Sequence, residues 1–160
     1  MNKLIIVCLA VFFYKVTDAQ NNTDISLKWK DLKENEYSIE SVTGNLYDKL
    51  AHHGPAIENE WVAFRLYFDF KVSVDVYHKT KTGLELAAAE WYPTVDQQKN
   101  GFGADFYKVG TTMGCGGIQL WDGEKALYLD PVKKRTARVC KEASYSYMEM
   151  LSEGIPYKGD

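Results

Sequence analysis

Apolar and polar positions alternate with a period of two along most of this chain, which is the spacing of half-buried strands. Ile25, Leu27 and Trp29 alternate with Ser26, Lys28 and Lys30. A charged turn, Lys33-Glu34-Asn35-Glu36, separates them from Tyr37, Ile39 and Ser41, which alternate with Ser38, Glu40 and Val42. The longest alternation runs from Trp61 to Asp69. Val62, Phe64, Leu66 and Phe68 point one way and predict a core face. Trp61, Ala63, Arg65, Tyr67 and Asp69 point the other way and predict a mixed, outward face. Val72, Val74 and Val76 alternate with Ser73, Asp75 and Tyr77, and their β-branching favours a strand. Paired with 61–69, that segment predicts a hairpin.

Later segments repeat the pattern. Asp122-Gly123 sits between Ile118–Trp121 and Lys125–Leu129, the strongest short-range hairpin signal in the chain. Thr136 to Cys140, and Tyr145 to Leu151, read as two more strands. The exception is Leu84 to Tyr92, rich in leucine and alanine, which predicts a short helix ended by Pro93. Asn45 to Leu50 fits either a helical turn or a strand. Asp96 to Gly103 reads as a polar surface loop. Asp105 to Val109 reads as a short strand. Gly110 to Gly117 carries four glycines in eight residues, which predicts a bulged turn or close approach of backbones. Many strands and one short helix point to a mostly β chain built as an antiparallel β-sandwich. No closing element follows the Gly154–Pro156 turn, so residues 20–160 read as the N-terminal portion of one such domain.

The first residues stand apart from this pattern. Lys3, the apolar run Leu4 to Phe13 and the exit Thr17-Asp18-Ala19 read as a signal peptide over residues 1–19. The run is too short to span a bilayer. A secreted or periplasmic protein is expected, with no membrane contact after cleavage. The formal net charge is −3, and no basic run argues for nucleic acid. Lys133-Lys134-Arg135 with Arg138 reads as a solvated face, with an anionic substrate as the alternative. Cys115 and Cys140 follow the signal segment; export permits a disulfide, but two cysteines leave the pairing open.

Candidate chemistry concentrates between His52 and Asp69. His52 and His53 precede a Gly54-Pro55 break, and Glu58, Asn59 and Glu60 lead into the strand. The odd face then offers a ring, a cation, a phenol and a carboxylate. These are the side-chain types of a sugar site. The nearby histidines add a group that titrates near neutrality.

Leu50 to Asp69, with Gly101 to Gly110 and Gly116 to Gly123, resembles the signature of a secreted bacterial family, domain of unknown function forty-eight sixty-one. The resemblance covers most of the chain after residue 19. It implies a large β-sandwich of the mutarotase and lyase kind, and work in polysaccharide degradation. It also implies a lyase-like or dehydratase activity on uronate-containing oligosaccharides. Family members are longer than this chain, so the resemblance also implies a missing second half.

The roles themselves rest on chemistry. For β-elimination, His52 or His53 is the base, Arg65 holds the sugar carboxylate, and Tyr67 or Tyr107 is the acid. Trp61 or Trp91 stacks on the sugar, with Glu58, Glu60 and Asp69 as further polar contacts. The alternative is a non-catalytic glycan-binding sandwich using the same face. Against either stand plain structural roles: histidines bonded to Glu58 or Glu60, and Arg65 paired with Asp69 or Glu60. Metal ligation through His52, His53, Glu58 and Asp69 ranks behind both, because adjacent histidines on an extended chain point apart. No cofactor is expected.

Overall fold

The computed structural model describes residues 22–89, 93–105, 107, 110, 112–113 and 114–157. The expected signal peptide and Trp91 lie outside the described residues. The fold is mostly β, and among the described residues the strands pair antiparallel, with one isolated parallel bridge between Val74 and Gly114. Five strands make the larger sheet, in the order β1 (Thr23–Ser26), β3 (Ala56–Asn59), β4 (Val62–Leu66), β5 (Val74–His78) and β6 (Ala104–Asp105). Three strands make the second sheet, in the order β10 (Ser146–Glu153), β9 (Lys134–Lys141) and β2 (Ser38–Ser41). A separate hairpin joins β7 (Leu120–Trp121) and β8 (Ala126–Leu127) around Asp122-Gly123, whose Asp122 carboxylate accepts the Glu124 and Lys125 amides.

The two main sheets meet where β1 and β3 lie against β9 and β10. Ile25, Leu27, Ile39, Leu46, Leu50, Phe68, Ala137 and Val139 form the core there, with Met148 and Met150 packed on it. Register explains which side chains take part. Ile25, Ile57, Phe64 and Val76 align across β1, β3, β4 and β5 on one face. The smaller sheet covers the β1 and β3 end of that row, and Phe64 is left 37% exposed.

The opposite face departs from expectation. Glu58, Ala63 and Tyr77 align in one row; Ser26, Ala56, Arg65 and Asp75 align in the next. All are buried. The side predicted to be outward is therefore sealed, and the other face is covered at its β1 and β3 end. Residues 51–55 and 84–89, with Pro93, form the cover.

Three other expectations are corrected. Leu84 to Ala89 makes one turn, with Ala89 N–H donating to Glu85 O, and no helix forms over these residues. The Glu58 carboxylate takes the Glu85 and Leu86 amides, and so short a stretch has little helical stability of its own. The helix lies instead at α1 (Val95–Lys99), overlapping the start of the predicted loop, and is started by a capping box between Thr94 and Gln97. Arg135 does not belong to a solvated basic face. It is fully buried, and its guanidinium donates to the carbonyls of Gly44, Asp69 and Leu129. The glycine-rich segment does bring backbones together: Cys115 N–H donates to Val74 O, and a Cβ at Gly117 would stand 2.1 Å from Met113 O. Cys115 and Cys140 are free thiols.

Candidate functional site

The sealed sheet face is the chemically richest part of the described residues. Arg65 donates to Asp75 Oδ2 from Nε at 2.9 Å and from Nη2 at 2.5 Å. The Tyr67 hydroxyl donates to the same oxygen at 2.5 Å and accepts from Arg65 Nη2 at 2.8 Å. The guanidinium also lies 4.8 Å from the Tyr67 ring centre and 5.0 Å from that of Tyr77. The three bonds converge on Oδ2, and Asp75 Oδ1 is buried with no hydrogen-bond partner. Arg65 is 1% exposed and engaged on several sides. It does not face solvent, and it pairs with Asp75 rather than with Asp69 or Glu60.

The histidines sit on a three-residue 3₁₀ turn, Ala51–His53, laid over this face. His52 and His53 both have positive φ, 54° and 62°, a conformation that side chains with a Cβ rarely adopt. The turn is held in place by backbone bonds. His53 O accepts from Phe68 N at 2.8 Å, and Pro55 O accepts from Leu66 N at 3.0 Å. Gly54 makes that approach possible, because a Cβ there would stand 2.0 Å from Leu66 O. The two imidazoles diverge. His53 stacks on Tyr47 with ring centres 3.8 Å apart, and its Nδ1 is 2.9 Å from Tyr47 O. His52 points to a cavity of about 30 Å³, and its buried Nε2 has no hydrogen-bond partner.

That cavity is lined by His52, Glu58, Arg65, Tyr77, Glu85 and Leu86 among others. It has room for about one water molecule. Burial, then the nearby charges of Lys28 and Arg65, push the His52 imidazole down to about 3. Burial also lowers His53. Both rings are therefore neutral at physiological pH. Glu58 Oε1 accepts from the Glu85 and Leu86 amides at 2.6 and 2.7 Å, and Oε2 pairs with Lys79. Glu85 in turn accepts from Gly103 N at 2.7 Å. Burial, followed by the Asp75 charge, raises the Asp105 carboxyl, and burial raises Glu85 in the same direction.

The predicted site residues thus fall into three groups. His52, Glu58 and Arg65 come together around the cavity, with Tyr67 and His53 just beyond. Asp69 is buried but serves its own turn, accepting from the Lys71 and Val72 amides. Trp61 (63% exposed), Tyr107 (54% exposed) and the half-buried Glu60 lie apart from it. Trp61 stands on a turn fixed by Asn59, whose side chain accepts from the Trp61 and Val62 amides. Sequence reasoning missed Asp75, Tyr77, Glu85 and Asp105. One signal was available for Asp75: an acid between valines on a strand predicted to pair with the Arg65 strand. Among the described residues, no group of three or more His, Cys, Asp or Glu side chains is placed to hold a metal.

Comparison with known proteins gives one match. A family model described as a domain of unknown function, DUF4861, matches residues 13–154. No curated protein and no solved structure matches the chain.

Proposed function

The chain belongs to the DUF4861 family, a domain of unknown function, and from that premise we propose that it recognises acidic oligosaccharides during polysaccharide degradation, as a glycan-binding β-sandwich. The observation that supports this is the division of the candidate residues. The neutral His52 and the charged Glu58 and Arg65 are sealed inside. The rings of Trp61 and Tyr107 stand in solvent. Stacking on a sugar needs an exposed ring held in place, which the Asn59 turn supplies for Trp61. Turnover needs an open base and a free cation for the sugar carboxylate. Arg65 is already bound to Asp75 and Tyr67.

The test is titration of acidic and neutral plant and algal oligosaccharides, followed by calorimetry and tryptophan fluorescence. Acidic oligosaccharides bind to the wild type, and Trp61→Ala weakens binding about tenfold without changing the melting temperature. Absence of binding to every acidic oligosaccharide overturns the reading.

The second reading is β-elimination on uronate-containing oligosaccharides, in a secreted or periplasmic enzyme. It is favoured by one observation: an unpartnered, neutral His52 nitrogen in a small, mainly apolar cavity beside Arg65, Glu58 and Tyr77. In that reading His52 takes the proton beside the sugar carboxylate, the electron pair left behind forms the double bond as the β carbon–oxygen bond breaks, Tyr67 gives the departing oxygen a proton, and Arg65 positions Tyr67 and Asp75 rather than gripping substrate. Access then requires the 84–89 turn to lift. Absorbance from a conjugated uronate double bond, abolished by His52→Asn while binding persists, decides for elimination over binding alone.

A further inference from the structure

On the other side of Leu86 from the His52 cavity lies a second, larger hollow. It is a groove of about 540 Å³ between β1, the segment after it, and the 86–87 turn. Its volume falls in the range of small-ligand sites, roughly 300–1,000 Å³. Lys28, Lys30 and Lys33 line it, against the carboxylates of Asp24 and Asp31. Among the described residues, neither Lys28 nor Lys33 is in an ion pair. Ser26 is 3% exposed, lines the same groove, and its hydroxyl has no hydrogen-bond partner. A buried hydroxyl left unpaired loses its water without replacement. A ligand oxygen in the groove removes that deficit.

We propose that this groove is a carboxylate-binding subsite for a uronic acid residue, with Lys28 and Lys33 pairing the carboxylate and Ser26 bonding a sugar oxygen. The reason for a sugar acid rather than a bare anion is the mixture. Leu32 and Leu86 give an apolar wall for the face of a pyranose ring. Asp24 and Asp31 give acceptors for its hydroxyls, and would repel a compact dianion. The cations outnumber the acids among these five, so the singly charged carboxylate is favoured. This assignment rests on the reading of the chain as recognising acidic oligosaccharides, and adds where the charge is read.

Calorimetry on the full chain tests it, with glucuronate, glucose, sulfate and acidic oligosaccharides as ligands. The variants are Lys28→Gln with Lys33→Gln, and Ser26→Ala. Glucuronate binds and glucose does not. The double lysine variant weakens glucuronate about tenfold or more, the size of one charge-assisted hydrogen bond. Raising salt weakens wild-type binding and has less effect on the double variant. Ser26→Ala weakens glucuronate binding, and unchanged binding in that variant overturns the Ser26 contact. Oligosaccharide binding that is equal in the wild type and the double lysine variant overturns the groove and leaves the wider reading standing. Lysine-dependent glucuronate binding, with no oligosaccharide bound, supports the groove and overturns the wider reading. Sulfate binding as tightly as glucuronate, or no glucuronate binding at all, overturns the groove.

Discussion

Arg65 and Asp75 stand opposite each other in register across β4 and β5, and their side chains meet at 2.5 Å with both ends out of water. That pair sets the character of the covered sheet face. It fixes Tyr67, which bonds to both partners, and it fills the space beside His52 with charge already neutralised. Removing one partner leaves the other ionised and buried. Asp75→Leu or Arg65→Leu is therefore expected to cost about 3–5 kcal/mol. The double variant is expected to cost clearly less than the sum of the two. Denaturant unfolding of all four proteins checks this, and additive losses would show that the pair is not coupled.

Gly54 lies against the β4 end more tightly than a side chain permits. A Cβ would meet Leu66 O at 2.0 Å. Gly54→Ala must push the histidine turn off the strand, breaking the Phe68-to-His53 backbone bond. The expected loss is about 3 kcal/mol or more, read as a lowered unfolding midpoint. A wild-type midpoint would mean that the turn and strand are not in contact.

The stability of the fold should depend on pH through His52. In the unfolded chain an imidazole takes its proton near 6.5, whereas in the fold it waits until about 3. The unfolded state thus binds the proton first. The contribution is fully present above pH 6.5 and is lost as pH falls toward 3, at roughly 1.4 kcal/mol per pH unit. His52→Asn removes this titration and suits the positive φ at that position. Its stability should fall less steeply with acid. His53, lowered in the same direction, leaves a remaining slope. Identical acid limbs in unfolding measurements would show that His52 is not buried as described.

Glu58 holds the 84–89 turn over the sheet. Its oxygens take two backbone amides and the Lys79 ammonium with no exposure to solvent. Glu58→Ala leaves those amides without that acceptor and the Lys79 ammonium with two carbonyls but no counter-charge. A loss of about 3–5 kcal/mol is expected. Amide exchange should speed up first at Glu85 and Leu86, because those two protons lose their acceptor. Unchanged exchange there would show that the turn is held by something else.

Much of the strand arrangement was legible from alternation. β-Branched and aromatic residues at period two located β4, β5, β9 and β10, and Asp122-Gly123 located the small hairpin. Thr94 and Gln97 carried a capping-box spacing that marks α1, but the polar residues around it resembled a loop. The Leu84–Ala89 stretch had helical residues, and tertiary hydrogen bonds to Glu58 took its first amides.

What the sequence determined by itself was the period, and hence the β class and the two sets of side chains on each strand. It placed Arg65, Tyr67 and the histidines near one another, since neighbours along a strand and its preceding turn have no choice. Only the tertiary structure decided which set was covered. Alternation separates two faces without saying what lies over them, and a charged face reads as outward unless its partners are known. Those partners came from elsewhere in the chain: Asp75 for Arg65, Lys79 for Glu58, and the carbonyls of Gly44, Asp69 and Leu129 for Arg135. A charge can be buried when opposite charge and hydrogen bonds reach it, and no local pattern records whether they will.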